Sequence, residues 1–442
     1  MIRRLLALLP LFLLLAVAPA HAVTVERVVS PQGIEAWLVQ DHSNPIIALD
    51  IAFRGGASTE PAAKAGLANM VAGLLDEGAG PYDSQTFQGK LEDLAIGLSF
   101  DAGKDAFRGH LKTLTEHRDT AFDLFRLALT EARFDKEPVE RIRGQILTML
   151  NRDLQDPNTV AVRDWFRQSF PGHPYATPVR GAPETVKAIT TPDLKGWAGR
   201  QLARGNLVVG VVGDITPDQL GPLLDKTFGA LPAKAAAVDV PDTTPKATGR
   251  VEVISRDIPQ SVAVFGQPGI KRADPDWYIA YVMNYILGGG GFSSRLTEEV
   301  REKRGLAYSV YSYLQPFDHA GIIFGGVATE NTRFGESLQL IRQEWARMRE
   351  QGPTPEELAN AKTYLTGSFP LQLDSTSSIA GLLVAMQLDH LGIDYLDKRN
   401  GFIQAVSLDD VKRVAGRLLD PAALSVVVVG KPAGVQTGEA AR

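Results

Sequence analysis

The sequence has no cysteine and only seven histidines among its 442 residues. Without a thiol, the chain can have no disulfide framework, no thiolate metal site and no cysteine nucleophile. Any metal site must therefore be built from histidine and carboxylate side chains. The net charge is -5 and basic residues form no block, which argues against a nucleic-acid partner bound through its phosphates.

Long apolar runs are also absent, except at the N-terminus. Arg3 and Arg4 precede an apolar run over residues 5–18, and the small residues of Ala20-His21-Ala22 are typical of a signal-peptidase site. The run is shorter than the roughly 20 residues that a membrane-spanning helix needs. We therefore expect residues 1–22 to be a signal peptide cleaved after Ala22, with an uncleaved anchor as the alternative. The mature protein is then exported, periplasmic in a Gram-negative host, and not stably inserted in a membrane.

An internal repeat is the clearest feature of the rest of the chain. Residues 190–213 align without gaps with residues 407–430, and both copies predict a helix followed by a buried strand that ends at glycine. We infer two similar halves at 23–230 and 250–433. Between them, residues 231–249 are rich in Ala, Pro, Thr and Lys and predict an extended linker, and residues 434–442 form a tail.

The pattern within each half predicts groups of strands and longer helices. Residues 106–114 alternate as in a strand, and residues 62–75 and 136–153 have apolar positions at helical spacing. In the second half, residues 251–255 predict a strand and residues 294–303 a helix. Because strands do not alternate regularly with helices, we expect an α+β fold with two homologous halves, each an antiparallel-rich sheet packed against helices.

The segment Gly55-Gly56-Ala57-Ser58-Thr59-Glu60, with residues 66–78 after it, resembles the pitrilysin family of metallopeptidases, which includes insulin-degrading enzymes and mitochondrial processing peptidase. In active members this region carries His-x-x-Glu-His, where two imidazoles bind zinc and the glutamate polarises the attacking water.

Four positions of this sequence depart from that pattern together. Asn69, Ala72 and Gly73 match the three motif positions, and Met149 matches the third zinc ligand, a glutamate on a later helix. Alanine and glycine have no side chain that could hold zinc or act as a base. The resemblance therefore implies a degenerate zinc helix, with no metal or other cofactor in this chain.

Residues 288–310 resemble the signature of the family's second half. By that resemblance, Arg301 orients the substrate backbone and Tyr308 donates a hydrogen bond to the developing oxyanion. Arg304 is the competing candidate for the arginine role. The alternative is structural, with Arg301 a charge on an exposed helix and Tyr308 an aromatic in the core of a strand.

A run of four glycines opens this segment. It lacks the Gly-Lys-Ser/Thr of a phosphate-binding loop, and in the family's non-catalytic subunits a glycine-rich loop is linked to substrate handling. The resemblance thus implies a substrate-binding role for Gly288, Gly289, Gly290 and Gly291.

The histidines outside these segments do not predict a metal site. His110 and His117, with Glu116 beside the latter, fall on a strand and on the start of a helix, and His173 lies in a predicted loop.

Taken together, the resemblance implies one half of a heterodimer. A chain without the zinc helix but with the arginine and tyrosine is similar to a complementary, non-catalytic subunit. We expect a zinc-free exported subunit that is inactive alone, supplies Arg301 and Tyr308 to a His-x-x-Glu-His partner, and helps bind unfolded peptide; zinc is expected in the partner. The alternative is a non-catalytic peptide-binding or scaffold protein with the same fold.

Overall fold

A computed structural model describes residues 23–435 and 437–438, and the predicted signal peptide lies outside the described residues. The first of its two sheets has the strand order β1-β2-β6-β3-β5-β4. These strands are β1 (Glu26–Val29), β2 (Glu35–Gln40), β3 (Ile46–Arg54), β4 (Gly97–Ala102), β5 (Ala106–Leu114) and β6 (Leu207–Gly213).

The second sheet has the strand order β7-β11-β8-β10-β9. Its strands are β7 (Val251–Ser255), β8 (Gln260–Pro268), β9 (Ala307–Pro316), β10 (Gly321–Glu330) and β11 (Ser425–Gly430). β2 is parallel to β6 and β7 is parallel to β11, while the other neighbouring strands in both sheets are antiparallel. Apart from β1, the two sheets therefore have the same topology, and the α+β fold with two similar sheets is confirmed.

Helices pack against both sheets. Those before the linker are α1 (Leu67–Ala72), α2 (Ser84–Asp93), α3 (Arg118–Thr130), α4 (Lys136–Asp153), α5 (Pro157–Ser169), α6 (Pro183–Ala188), α7 (Thr191–Gln201) and α8 (Pro217–Phe228). Those after it are α9 (Trp277–Asn284), α10 (Phe334–Gln351), α11 (Pro355–Gly367), α12 (Thr376–Leu388), α13 (Tyr395–Gln404) and α14 (Leu408–Leu418). Residues Tyr285–Gly289 and Thr297–Glu302 wind as π-helix.

The repeated segments of the sequence begin with the same local interaction. Before α7, the hydroxyl of Thr190 accepts the N–H of Asp193, and the Asp193 carboxylate accepts the N–H of Thr190. Before α14, Ser407 and Asp410 exchange the same pair of hydrogen bonds. Such reciprocal capping satisfies backbone N–H groups that a helix start leaves unpaired. α7 then leads into β6, which pairs in parallel with β2, and α14 leads into β11, which pairs in parallel with β7.

Each half of the sequence contributes a helix to the other half's sheet. α5 packs on β8 and β11, where the buried Trp165 donates its indole N–H to the carbonyl of Ser425 at 3.2 Å. In return, α12 packs on β3 and β6, and its buried Leu383 lies in one cluster with Val212. The two halves are therefore interlocked in space. The boundaries at 23–230 and 250–433 describe the repeat in the sequence, and as domain boundaries they stay a prediction.

The segment at 231–249 contains neither helix nor strand, yet it is bonded to both halves. The N–H of Ala236 donates to the carbonyl of Arg200, and the N–H of Thr243 donates to that of His319, each at 2.8 Å. No helix in the described part of the chain has the length and apolarity needed to cross a membrane.

Candidate functional site

The helix that matches the family's zinc helix is short and tightly held. α1 begins after Gly66, whose φ of +97° is the left-handed conformation that favours glycine, and it ends before Gly73. The Glu60 carboxylate accepts the N–H of Gly66 at 2.8 Å and also that of Ala68. Burial raises the pKa of Glu60 to about 7 although these bonds favour the ionised form. The two flanking glycines explain why the helix is shorter than the predicted span of 62–75.

The four degenerate positions offer no set of zinc ligands. Ala72 is buried, and a Cβ added at Gly73 would lie 3.3 Å from Cγ2 of Ile142 in α4, so a side chain there would require the Ile142 side chain to give way. Met149 is exposed on α4, and Asn69 lines a cavity of about 570 Å³. Within the residues that the structure describes, no group of three or more His, Cys, Asp or Glu side chains is placed to hold a metal ion. The residues present do not fit zinc.

The glycine run supports close packing against β9. A Cβ at Gly288 would lie 2.3 Å from Oγ of Ser312 and 2.7 Å from its backbone nitrogen, so only glycine fits there. Next to this contact, Ser312 donates its hydroxyl to Asn284 at 2.8 Å. Gly291 has a φ of +55° and open space around its Cα. Close packing against Ser312 gives Gly288 a structural role. A substrate-binding role for the four glycines stays a prediction.

Arg301, in the π-helical segment Thr297–Glu302, lies next to Tyr308 at the start of β9, which is an edge strand of the second sheet. The guanidinium carbon of Arg301 is 5.4 Å from the ring centre of Tyr308 and 4.6 Å from that of Phe292. Tyr308 is 81% exposed and Phe292 is 70% exposed. The cation therefore lies within cation–π distance of two exposed rings, a contact that is favourable even at the surface. The alternative that Tyr308 belongs to a strand core is wrong.

This arrangement leaves polar groups available to a bound peptide. The Arg301 Nε lies 3.4 Å from the carboxylate of Glu302, and the other N–H groups of the guanidinium can donate to carbonyl oxygens. The Tyr308 phenol can donate one hydrogen bond without carrying charge. The contact with Phe292 was not foreseen from the sequence, although an aromatic residue directly after a glycine run was a usable signal.

Arg304, the competing arginine, is engaged elsewhere. Its guanidinium donates to the carboxylate of Glu299 at 2.6 Å and to the carbonyl of the same residue at 2.8 Å. Hydrogen bonds from Lys303 and Arg304 in turn lower the pKa of Glu299. Although Arg304 is closer to Tyr308 in sequence, Arg301 is the arginine that contacts the tyrosine ring.

The histidines have structural partners. His110 lies between Asp50 and Asp101 on the neighbouring strands, with Nδ1 2.6 Å from the first and Nε2 2.9 Å from the second. Hydrogen bonds to Asp101 and Asp50 raise the pKa of His110 to about 9, so the ring is a cation paired with two carboxylates. His173 is buried and its Nε2 donates to the carbonyl of Pro241 at 2.9 Å. His117 directly precedes α3.

Comparison with known proteins identifies the family. A family model described as the peptidase M16 inactive domain matches residues 188–365. The non-peptidase homolog YmxG of Helicobacter pylori is 31% identical over 77% of this chain and 78% of its own length. An uncharacterized zinc protease of Streptomyces coelicolor is 29% identical over 90% of this chain and 87% of its own.

A solved structure supports the same assignment. The crystal structure of a peptidase M16 inactive domain from Pseudomonas fluorescens has a TM-score of 0.87 at 29% identity, covering 94% of this chain and 99% of that one. The resemblance that rested on two sequence segments is thereby confirmed over nearly the whole described chain. The protein belongs to the M16 peptidase family, the pitrilysin group, as a member whose zinc-binding positions hold other residues.

Proposed function

We propose that this protein is an exported, zinc-free subunit that completes the active site of a separate peptidase carrying His-x-x-Glu-His. The observation behind the proposal is the exposed stack of Arg301 on Tyr308, in a chain whose own zinc-binding positions are Asn69, Ala72, Gly73 and Met149. A cation and a phenol held together at an exposed strand edge can act on a substrate bound to another chain. Within the described residues of their own chain, the same groups have no metal-binding cluster to serve.

The chemistry assigned to this chain is binding and orientation. Arg301 donates to carbonyl oxygens of an extended peptide, and Tyr308 donates to the oxygen on which negative charge develops during hydrolysis. Arg301 is favoured over Arg304 for this role because Arg301 lies over two aromatic rings, whereas the Arg304 guanidinium donates to Glu299. The partner holds the zinc and breaks the peptide bond. Residues 1–22 direct export, so the two subunits meet in the periplasm of a Gram-negative host.

The test is reconstitution from purified subunits. The mature chain is assayed for cleavage of an unfolded fluorogenic peptide, alone and mixed with a neighbouring-gene product that carries His-x-x-Glu-His, and zinc is measured in each protein. We expect no cleavage and no bound zinc in this chain alone, and cleavage by the mixture well above that of the partner alone.

Two outcomes contradict the proposal. Cleavage with stoichiometric zinc in the isolated chain would make it an independent enzyme. A complex in which this chain leaves the partner's rate unchanged would instead favour a scaffold or peptide-binding protein.

A further inference from the structure

A cavity of about 570 Å³ is lined by residues of α1, α4 and α5, by the segment 176–183, and by β9 and β10 of the second sheet. Its walls are largely apolar. They include Val162 and Phe166 of α5 and Phe324 of β10, and the centres of the two phenylalanine rings are 5.9 Å apart. The volume falls within the range of small-molecule sites, which are apolar with a few placed polar groups. Asn69, at the first degenerate zinc position, forms part of the wall.

Lys104 provides a cation in this wall. Its ammonium donates to the backbone carbonyls of Tyr175 and Thr177, both at 2.9 Å, and lies 5.2 Å from the ring centre of Phe166. An ammonium group has three N–H donors, and these two bonds use two of them. Among the described residues, no carboxylate forms an ion pair with Lys104. Burial lowers its pKa to about 8, while the charge of the neighbouring Asp105 acts in the opposite direction.

The other charged groups around the cavity leave it positive. Arg163 is exposed on α5 and forms no ion pair with any described residue. Arg180 is neutralised by Asp153 at 2.6 Å. The lining thus holds three cations and one carboxylate in a protein whose net charge is -5. An apolar cavity with uncompensated positive charge is suited to an anion that has an apolar body.

We propose that this cavity binds an apolar carboxylic acid, either free or as the C-terminal residue of a peptide. The carboxylate accepts from the Lys104 ammonium, with Arg163 at the exposed side, and the apolar body packs against the wall that Phe166, Phe324 and Val162 form. The cavity is formed entirely by this chain. The inference therefore goes beyond the proposed function and does not depend on a zinc-bearing partner.

Calorimetric titration of the mature chain alone tests the proposal with two matched pairs of probes. Decanoate is compared with decanol, and a heptapeptide ending in a free phenylalanine carboxylate is compared with its amide. A hydrogen bond to a charged group contributes about 1.5–3 kcal/mol, so the acid of at least one pair should bind about tenfold more tightly than its neutral analogue. The pair that shows this preference identifies the source of the acid. Equal binding of acid and neutral analogue in both pairs, or no binding of any probe, overturns the proposal.

Variants locate the site. Lys104→Met keeps an apolar side chain of similar length, so it should abolish the preference for the acid. Lys90→Met is the matched control, because Lys90 also lies over a ring, that of Tyr82 at 4.7 Å, but is outside the cavity lining. Val162→Phe should weaken all probes by filling the apolar part.

Arg163→Gln provides a second reading if Lys104→Met does not fold, because Arg163 is exposed and its replacement leaves packing intact. This variant should reduce the preference for the acid. If Lys104→Met folds and still prefers the acid as strongly as wild type does, the assignment is contradicted. If Lys104→Met does not fold, an unchanged preference in Arg163→Gln contradicts it.

Discussion

Arg301 stacks on the face of Tyr308, with the guanidinium carbon 5.4 Å from the ring centre, while 81% of the tyrosine remains exposed. The hydroxyl group that would act on a substrate and the ring that holds the arginine are thus parts of the same side chain. Substitutions can separate these two contributions.

Tyr308→Phe keeps the ring under Arg301 and removes only the hydroxyl. Because the residue is exposed, we expect the free energy of unfolding to change by less than about 0.5 kcal/mol. Loss of one donor to a developing oxyanion lowers turnover by about a hundredfold in known hydrolases, and we expect a fall of this order in the reconstituted pair. Turnover and partner zinc content are measured together. A wild-type rate would remove Tyr308 from the mechanism.

Arg301→Lys and Arg304→Lys distinguish the two arginines. A lysine has no planar group to stack between rings or to donate a pair of parallel hydrogen bonds, so Arg301→Lys should lower the rate of the pair by about tenfold or more. A lysine at position 304 can still pair with Glu299, and that variant should keep a rate near wild type. The reverse ranking would assign the role to Arg304.

Gly288→Ala tests the packing role of the glycine run. The new Cβ would collide with the Ser312 backbone, so we expect a loss of about 1–3 kcal/mol in the free energy of unfolding. Gly144 is the control, because it lies within α4 with open space around it. Gly144→Ala should stabilise the protein by up to about 1 kcal/mol. Urea denaturation followed by circular dichroism measures both, and equal midpoints for the two variants would refute the packing argument.

Trp165→Ala tests the interlocking of the halves. The Trp165 indole of α5 is buried against the second sheet. Removal of such a side chain lowers the free energy of unfolding by about 3–5 kcal/mol. Because α5 comes from the first half of the sequence, we expect one unfolding transition that shifts as a whole. Arg167→Ala, on the exposed side of α5, should change stability by less than about 0.5 kcal/mol. Two separate transitions, with only one shifted, would show that the halves fold independently.

His110 should make stability depend on pH. Its folded-state pKa of about 9 lies above the ordinary value of 6.5, so the protonated ring stabilises the fold. This contribution is complete below pH 6.5 and is lost as the pH rises through about 9. The difference in urea midpoint between wild type and His110→Gln should therefore shrink from pH 6 to pH 10. A constant difference would mean that Asp50 and Asp101 do not hold the proton on His110.

Regular elements with a clear period could be read from the sequence. The strand at 106–114, the helix at 136–153 and the strand at 251–255 have the predicted bounds, because apolar periodicity and nearby helix-breaking residues act over a few residues. The helix expected at 294–303 instead includes π-helix at Thr297–Glu302. Whether a turn of helix widens in this way depends on packing with β9, which local pattern does not report.

The family, the loss of the zinc ligands and the Arg301–Tyr308 motif followed from the sequence, since a ligand needs a particular side chain at a particular position. The exchange of α5 and α12, the stacking of Phe292 on Arg301 and the cavity around Lys104 were decided only by the tertiary structure. Each joins residues that are distant in the chain or faces whose orientation is set by packing. The period of a sequence determines which side of an element is apolar, but it does not determine which other element covers that side.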